Sequence, residues 1–320
     1  MITTLYIVST IIIIGILLPI SDNKYWFIRS QAYFRFWYLC MALLLIIIWL
    51  IVFPNLLQAK VMLLLLGGCA VLCLRDVLPF TRWYKKEIRT CASNNKNIEL
   101  DILVYNVYQE NDKYQDLIDK VNELSPDLVL LLETNSEWDK ALLPLNEIYP
   151  YSVKAIQDNT YGMMLLSKLK PLEKDIEYLD KKDVPSVDTL LTIKDRKLRI
   201  IGLHPLPPIP TEAMTSRQKD AEFEAAAERI NELSDEEVKI VAGDLNDVVW
   251  SKASNRFKKS TGLKDPRVGR GTFSTFPTYS PIRFPLDHIL CSPELELIEL
   301  KVLENLGSDH FPIYVRFNIP

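Results

Sequence analysis

Three long apolar runs occupy the first quarter of the chain and limit what this part can fold into. They cover Thr3 to Ile20, Tyr38 to Phe53, and Val61 to Leu74 with a continuation through Val77 to Phe80. About 20 apolar residues are enough to cross a bilayer as a helix, in which every backbone group is bonded internally. We therefore predict about three transmembrane helices. A cleaved signal peptide is the alternative for the first run, which lacks a basic start and a small-x-small cleavage site.

Basic residues cluster beside these runs. The first 89 residues carry nine Lys/Arg and three Asp/Glu, whereas the remainder carries 28 basic and 38 acidic residues. Three basic residues lie between the first and second runs and five follow the third, but only Lys60 lies between the second and third. Because basic loops stay on the cytoplasmic side, we predict a bacterial inner-membrane protein whose C-terminal domain is cytoplasmic.

The rest of the chain has the pattern of a separate soluble domain. We place a membrane anchor at 1–89 and a catalytic domain at 90–320, with a polar linker at 91–96 between them. Apolar runs of strand length alternate with amphipathic segments that predict helices over Lys113 to Leu124, Glu137 to Ile148 and Thr211 to Leu233. This alternation, together with internal hairpins, predicts an α/β fold of two packed mixed sheets with helices outside.

One predicted strand of this domain ends in an unusual polar sequence. The apolar run from Val238 to Ala242 is followed by Gly243, Asp244, Leu245 and Asn246. Residues two apart in an extended segment point the same way, so Asp244 and Asn246 can face one ligand. A polar turn after a strand is the alternative interpretation of this short motif.

Other polar residues repeat the pattern, each next to a run of buried-type residues. The full set is Asn106, Glu133, His204, Asp244, Asn246, Asp287, Asp309 and His310. Burying a polar or charged group without a partner is costly, so repeated strand-end positions predict that these side chains share one pocket. The chain has only three histidines, and all of them follow or lie within apolar runs.

The residue types in this set indicate a division of labour. Glu133 and Asp309 offer hard oxygen ligands suited to Mg²⁺ or Mn²⁺, and the five cysteines have no zinc-ligand spacing. His310 beside Asp287 would be a carboxylate-oriented imidazole that stabilises phosphate charge or exchanges a proton. Asp244 could hold an attacking water, while Asn246 and Asn106 could donate to phosphate oxygens. This combination predicts metal-assisted hydrolysis of a phosphate ester.

Six short segments carry these residues in a fixed order. They are Val104 to Val107, Leu131 to Thr134, Gly202 to Pro205, Ala242 to Asp247, Leu286 to His288 and Gly307 to His310. The set resembles the endonuclease/exonuclease/phosphatase superfamily of metal-dependent phosphoesterases, and it spans Tyr105 to His310. The match is most similar to a bacterial branch with preceding membrane spans, the YafD-like proteins.

The resemblance implies a four-layer α/β/β/α sandwich and a role for each matching residue. Glu133 would bind the metal, and Asn106 and Asp309 would help to hold metal or phosphate. Asp244 would align the nucleophilic water, Asn246 would contact phosphate, and Asp287 would orient His310. The remaining roles are stabilisation of the pentavalent transition state by His310 and contact with the scissile phosphate by His204.

Several residues keep two interpretations. Tyr161 is either an active-site tyrosine or a strand residue of the core, and Arg217 is either a phosphate contact or a solvated helix charge. The segment with Phe273, Phe276 and Tyr279 either stacks on a base or covers a lipid, or it packs within its own loop. His288 stands where many relatives carry an aromatic residue.

The expected partners are a bilayer and a phosphate-ester substrate, and no protein partner is predicted. The substrate could be nucleic acid, a lipid phosphate or a soluble ester, although an acidic domain is a poor non-specific binder of polyphosphate. The alternative function is a non-catalytic, membrane-tethered binding module that retains the fold. A transporter or channel is disfavoured, because the only ionisable residues in the spans are the pair Arg75 and Asp76 near the end of the third.

Overall fold

A computed structural model describes residues 2–92 and 98–320 of the chain. Most of the predicted polar linker, 93–96, lies outside the described residues. The N-terminal segment contains α1 Ile2–Leu17, α2 Trp26–Ser30, α3 Arg35–Val52 and α4 Leu57–Val77. With short 3-10 turns, three stretches are long and apolar enough to cross a membrane, namely Ile2–Ile20, Trp26–Val52 and Leu57–Phe80. The second and third are longer than the apolar runs that predicted them.

A few polar contacts hold these helices together. The indole of Trp49 donates to Ser9 Oγ at 3.0 Å. Arg35, at the start of α3, is buried against Asp76 of α4 with an Nε–Oδ2 distance of 3.1 Å. It also donates to the carbonyl of Ile16 at 2.7 Å. The outer surface is apolar, as expected of helices that face lipid.

The C-terminal domain contains eleven strands within the described residues. They are β1 Ile98–Asn106, β2 Leu128–Leu132, β3 Tyr151–Ala155, β4 Met163–Ser167, β5 Pro171–Glu177, β6 Ser186–Ile193, β7 Arg196–Gly202, β8 Val238–Asp244, β9 Asp287–Cys291, β10 Glu296–Val302 and β11 Ile313–Ile319. One sheet has the order β10-β11-β1-β2-β4-β3, and the other has the order β5-β6-β7-β8-β9. Both are mixed sheets, as predicted.

Helices cover the outer face of each sheet. Along β1, the side chains of Ile102 and Val104 pack in the core between the sheets, whereas Leu103 and Tyr105 pack outward. The outward residues meet α5 Tyr114–Leu124, and α6 Ser136–Ala141 lies on the same side. The second sheet is covered by α7 Arg217–Glu232 and α8 Lys252–Thr261. The domain is therefore the predicted α/β/β/α sandwich.

Two predicted helices have different limits from those expected. The helix predicted from Glu137 to Ile148 ends at Ala141 and gives way to a 3-10 turn, because Pro144 cannot donate the backbone bond that would continue it. The helix predicted from Thr211 begins only at Arg217. The preceding backbone instead bonds to the N-terminal segment, where Trp26 N donates to the carbonyl of Met214 at 3.0 Å.

The strand register brings the polar strand ends to one edge. Strand β1 runs parallel to β2 and places Asn106 opposite Leu132, the residue before Glu133. Strand β8 runs antiparallel to β9 and places Asp244 opposite Asp287. Because β9 begins where β8 ends, all four polar residues lie at the same end of the packed sheets.

The N-terminal segment packs against this same end of the domain. Ala32 and Phe80 join a buried apolar cluster with Trp250 and Leu286. The indole of Trp250 donates to the carbonyl of Ala32 at 2.8 Å. The end of the domain that carries the polar strand ends is thus covered in part by the connection between the first two apolar helices.

Candidate active site

Asp244 lies at the centre of the predicted polar set and is buried. The carboxamide of Asn106 donates to Asp244 Oδ2 at 3.2 Å and to Glu133 Oε1 at 2.8 Å. The backbone N–H of Asn246 donates to Asp244 Oδ1 at 2.9 Å. His310 Nε2 is 3.5 Å from Asp244 Oδ2. Asn106 and His310, from two distant segments, therefore converge on the carboxylate of Asp244, and Asn106 links it to Glu133.

Strained backbone turns aim these side chains. Glu133 and Asn246 both have left-handed backbone conformations, with φ of 61° and 48°. Such conformations are costly for residues other than glycine and persist where the surroundings hold them. Gly243 is required for a different reason: a β-carbon there would lie 2.0 Å from the carbonyl oxygen of Leu203. The motif is thus a tight turn against β7 rather than the extended segment predicted.

His310 is oriented by a buried carboxylate, as predicted. Its Nδ1 is 2.7 Å from Asp287 Oδ2, and the hydroxyl of Thr275 donates to the same oxygen. Burial opposes the charged imidazolium, but the carboxylates of Asp287 and Asp244 outweigh it and raise the pKa of His310 to about 10. Phe276 packs on the imidazole with ring centroids 4.8 Å apart. The ring is therefore charged at neutral pH and held in one orientation.

His204 is a second imidazole beside the carboxylates. Its Nε2 is 3.9 Å from both Glu133 Oε1 and Asp244 Oδ2. The ring of Tyr161 lies beside the imidazole, with centroids 5.4 Å apart, and the Tyr161 hydroxyl donates to Glu212 Oε2 at 3.2 Å. The buried Nδ1 of His204 has no hydrogen-bond partner among the described residues. Tyr161 thus lines the site and packs against a candidate catalytic group.

Ser308 ties the last loop of the site to β1. Its hydroxyl donates to the carbonyl of Asn106 at 2.8 Å, and the N–H of His310 donates to Ser308 Oγ at 3.0 Å. Ser308 Oγ also lies 3.3 Å from Asp309 Oδ1. Sequence reasoning placed Ser308 within a motif but gave it no role, and it missed Thr275, which only the folded loop brings to Asp287.

Glu133 and Asp309, which both feel the charge of Asp244, offer oxygen ligands of the type that binds a divalent cation. Burial raises the pKa of Glu133, and the neighbouring charge of Asp244 adds to the effect. Burial and Asp244 likewise raise the pKa of Asp309. The ion-pair partners of Glu133 and Asp244, within the described chain, are histidines rather than Lys or Arg. A hard cation would supply the missing positive charge and suits oxygen ligands.

Among the described residues, the close group of potential metal-ligand atoms does not include the predicted ligands Glu133 and Asp309. One ligand atom each of Asp244, Asp287 and His310 lies within 4.8 Å of the others. However, the hydrogen bond from His310 to Asp287 accounts for the closeness of that pair. Asp287 Oδ2 already accepts a second bond from Thr275. We assign this group to the orientation of His310.

Asn246 connects the site to the N-terminal segment. Its carbonyl accepts from the Tyr33 hydroxyl at 2.9 Å and from Lys219 Nζ at 3.1 Å. Its side chain donates to the carbonyl of Pro205 at 2.9 Å. A carboxamide nitrogen carries two hydrogens, so one remains for a ligand. Nothing in the sequence indicates that Tyr33 would reach this turn.

The other residues with open roles lie outside the central group. His288 is buried and its Nε2 is 2.8 Å from the carbonyl of Asp247. Burial and the nearby charge of Arg267 lower the pKa of His288 to about 3, so it stays neutral. Arg217 is exposed at the start of α7, and Tyr279 is 80% exposed. His288 therefore has a structural role, and Arg217 is a solvated charge at the start of α7.

Comparison with known proteins places this architecture in a family. The family model for endonuclease/exonuclease/phosphatase proteins matches residues 103–310. The chain therefore belongs to the endonuclease/exonuclease/phosphatase family, whose members hydrolyse phosphate esters. No curated protein sequence matches the chain.

Several solved structures share the fold. TDP2 of D. rerio, complexed with a single-strand DNA product, is 18% identical with a TM-score of 0.58, covering 69% of this chain and 100% of its own. The human nocturnin catalytic domain with bound sulfate is 15% identical with a TM-score of 0.58, covering 71% and 97%. A family protein from Leptotrichia buccalis is 20% identical with a TM-score of 0.54, covering 68% and 98%.

Proposed function

We propose that this protein is a membrane-anchored phosphoesterase that depends on a divalent metal and cleaves a phosphodiester by attack of water. The observation that carries the proposal is the cluster around the buried carboxylate of Asp244, to which Asn106 links Glu133 and beside which His310 lies. Membership of a family of phosphate-ester hydrolases supports the reaction class.

Glu133, Asp309 and Asn106 would hold the metal, which would be Mg²⁺ or Mn²⁺. When bound, such an ion supplies positive charge to phosphate oxygens and makes water a better nucleophile. A raised pKa means that the surroundings destabilise the ionised carboxylate, and a nearby cation would stabilise it. The raised pKa values of Glu133 and Asp309 are therefore consistent with this role. Site position and donor chemistry thus support the predicted ligands together.

Asp244 would take the proton of the attacking water. Burial alone would raise the pKa of Asp244, but the imidazoles of His310 and His204 hold it below its ordinary value. The carboxylate is therefore ionised and able to accept a proton. The backbone N–H of Asn246 holds its other oxygen at 2.9 Å, which fixes its direction.

Both histidines would stabilise the phosphate. His310 is charged and fixed by Asp287, so it can stabilise the negative charge that develops on phosphate oxygens as water adds in line with the leaving group. His204 and the free amide hydrogen of Asn246 would contact the scissile phosphate. The products are a phosphate monoester and an alcohol, with the water proton passing first to Asp244.

The three apolar helices support the membrane anchor, for which we keep the predicted boundary between residues 89 and 90. The distribution of basic residues supports a bacterial inner membrane with the domain in the cytoplasm. This orientation is tested by external protease on spheroplasts, which should spare the domain in our account. The YafD-like branch remains a prediction.

Substrate class and metal dependence can be tested together. The full chain in lipid nanodiscs would be assayed with a generic phosphodiester, plasmid DNA and a phospholipid, each with Mg²⁺ or Mn²⁺ and with EDTA. We expect metal-dependent cleavage that Asp244→Asn lowers by about 10²–10⁴-fold without loss of folding. Binding of these ligands without turnover would favour the non-catalytic binding module instead.

A further inference from the structure

A basic cavity lies where the N-terminal segment meets the C-terminal domain. It has a volume of about 520 Å³, and five cationic side chains line it, namely Arg35, Arg75, Lys252, Arg256 and Lys259. Asp76 is the acidic residue in its described wall. The cavity is separate from the predicted catalytic set, none of whose residues lines it.

The cations of this basic cavity exceed the carboxylates that face them. Asp76 pairs with both Arg35 at 3.1 Å and Arg75 at 3.0 Å. Beyond the wall, Asp22 lies 3.1 Å from Lys252 and Glu224 lies 3.9 Å from Arg256. Three carboxylates therefore face five cations, and two positive charges remain. The side chains of Arg75 and Arg256 are 69% and 61% exposed, so both can reach a ligand.

The position of the cavity relative to the apolar helices indicates what could fill it. Ile20 ends the first apolar stretch, Arg35 begins α3 and Arg75 lies in the last turn of α4, and all three line the cavity. The ends of membrane-spanning helices lie at the level of lipid head groups. Trp250 also lines it and adds the kind of amphipathic ring found at that level.

We propose that this cavity binds the phosphate head group of an anionic phospholipid in the leaflet next to the C-terminal domain. Arginine forks pair well with phosphate oxygens, and basic pockets beside membrane helices favour lipids with net negative charge. A zwitterionic head group would bring its own cation against a positive wall. The proposal rests on the membrane anchor proposed above but not on the reaction.

A bound head group would join the two parts of the protein. Lys252, Arg256 and Lys259 belong to α8 of the domain, whereas Arg35 and Arg75 belong to the helices of the N-terminal segment. One phosphate contacting both sets would stabilise their contact. We therefore expect anionic lipid to raise the thermal stability of the full chain.

The test uses the full chain in nanodiscs of phosphatidylcholine alone and in discs that also contain phosphatidylglycerol. Retained lipid is counted by native mass spectrometry, and unfolding is followed thermally. The test variant is Arg256→Gln with Lys259→Gln, both on α8 and outside the catalytic set. The matched control is Lys174→Gln with Lys197→Gln, which removes the same charge from exposed strand positions of the same domain.

We expect wild type and control to retain phosphatidylglycerol and to be stabilised by it. The test variant should bind it roughly 30-fold more weakly, since each basic residue near the surface contributes about fivefold. Equal retention by test and control variants, or equal retention of phosphatidylcholine, would overturn the proposal. So would equal stabilisation by inorganic phosphate, which would identify a soluble anion as the ligand. Failure to enter discs at all would instead refute the membrane anchor.

Discussion

Replacing Tyr33 with Phe would remove a hydrogen bond between the N-terminal segment and the active site. The Tyr33 hydroxyl donates to the carbonyl of Asn246 at 2.9 Å. Asn246 has a left-handed backbone with φ of 48°, and its N–H holds Asp244 Oδ1 at 2.9 Å. Loss of the bond should therefore loosen the turn that directs Asp244.

The expected size of the effect follows from the other partner of this carbonyl. Lys219 Nζ also donates to Asn246 O, at 3.1 Å, so the acceptor is not left without a donor in the variant. The variant then loses only the net value of one hydrogen bond, about 0.5–1.5 kcal/mol, rather than the larger cost of a buried unpaired group. If all of this free energy is lost from the transition state for hydrolysis, kcat should be roughly two- to tenfold lower.

The assay is steady-state hydrolysis of a generic phosphodiester by the full chain in nanodiscs, beside thermal unfolding. Tyr25→Phe is the matched control, because it removes a hydroxyl from an exposed residue of the same connection. We expect Tyr33→Phe to lower kcat with little change in KM, and Tyr25→Phe to match wild type. Equal kcat in the two variants would refute the idea that the N-terminal segment positions the site.

Three further outcomes follow from the site and the domain. Glu133→Gln should weaken Mn²⁺ binding by more than roughly tenfold in calorimetry, because it removes a charged ligand; unchanged affinity would exclude Glu133 as a ligand. Asp287→Asn should lower the pKa of His310, so activity should be lost at lower pH than in wild type, and an unshifted alkaline limb of the pH–rate profile would contradict this. Burial and Asp180 raise the pKa of Glu222 from 4.5 to about 8. The folded state then holds a proton that the unfolded state has lost, so stability falls as pH rises between these values. Glu222→Gln should remove this pH-dependent fall in the free energy of unfolding, which amounts to up to roughly 5 kcal/mol. The variant should therefore be more stable than wild type at pH about 8 but not near pH 5. An equal gain at both pH values would argue against a raised pKa of Glu222.

The sequence predicted that several polar strand ends lie together, because a polar residue at the end of a buried strand needs a partner. Asn106, Glu133 and Asp244 come together as expected, since parallel and antiparallel pairing fixes which strand ends are neighbours. The pairing of His310 with Asp287 was also predicted, from the chemistry of a carboxylate beside an imidazole and from the family resemblance.

Features that depend on long-range contacts could not be predicted in this way. From its sequence position beside an apolar run, Tyr33 would be interpreted as an aromatic residue of the membrane interface. Its hydrogen bond to Asn246 instead joins positions 213 residues apart. The start of α7 was placed too early, because the residues before Arg217 bond to the connection near Lys24 instead of continuing the helix. Strands β5 and β10 were missed, since charged residues interrupt their apolar patterns.

Hydrolysis in heavy-oxygen water, with and without a divalent metal, tests the central claim most directly. We predict that the full chain transfers the label to the phosphoryl product with Mg²⁺ or Mn²⁺, that EDTA stops the transfer, and that Asp244→Asn abolishes it. Cleavage that continues unchanged in EDTA, or that leaves the phosphoryl product unlabelled, would contradict metal-assisted attack of water at this site.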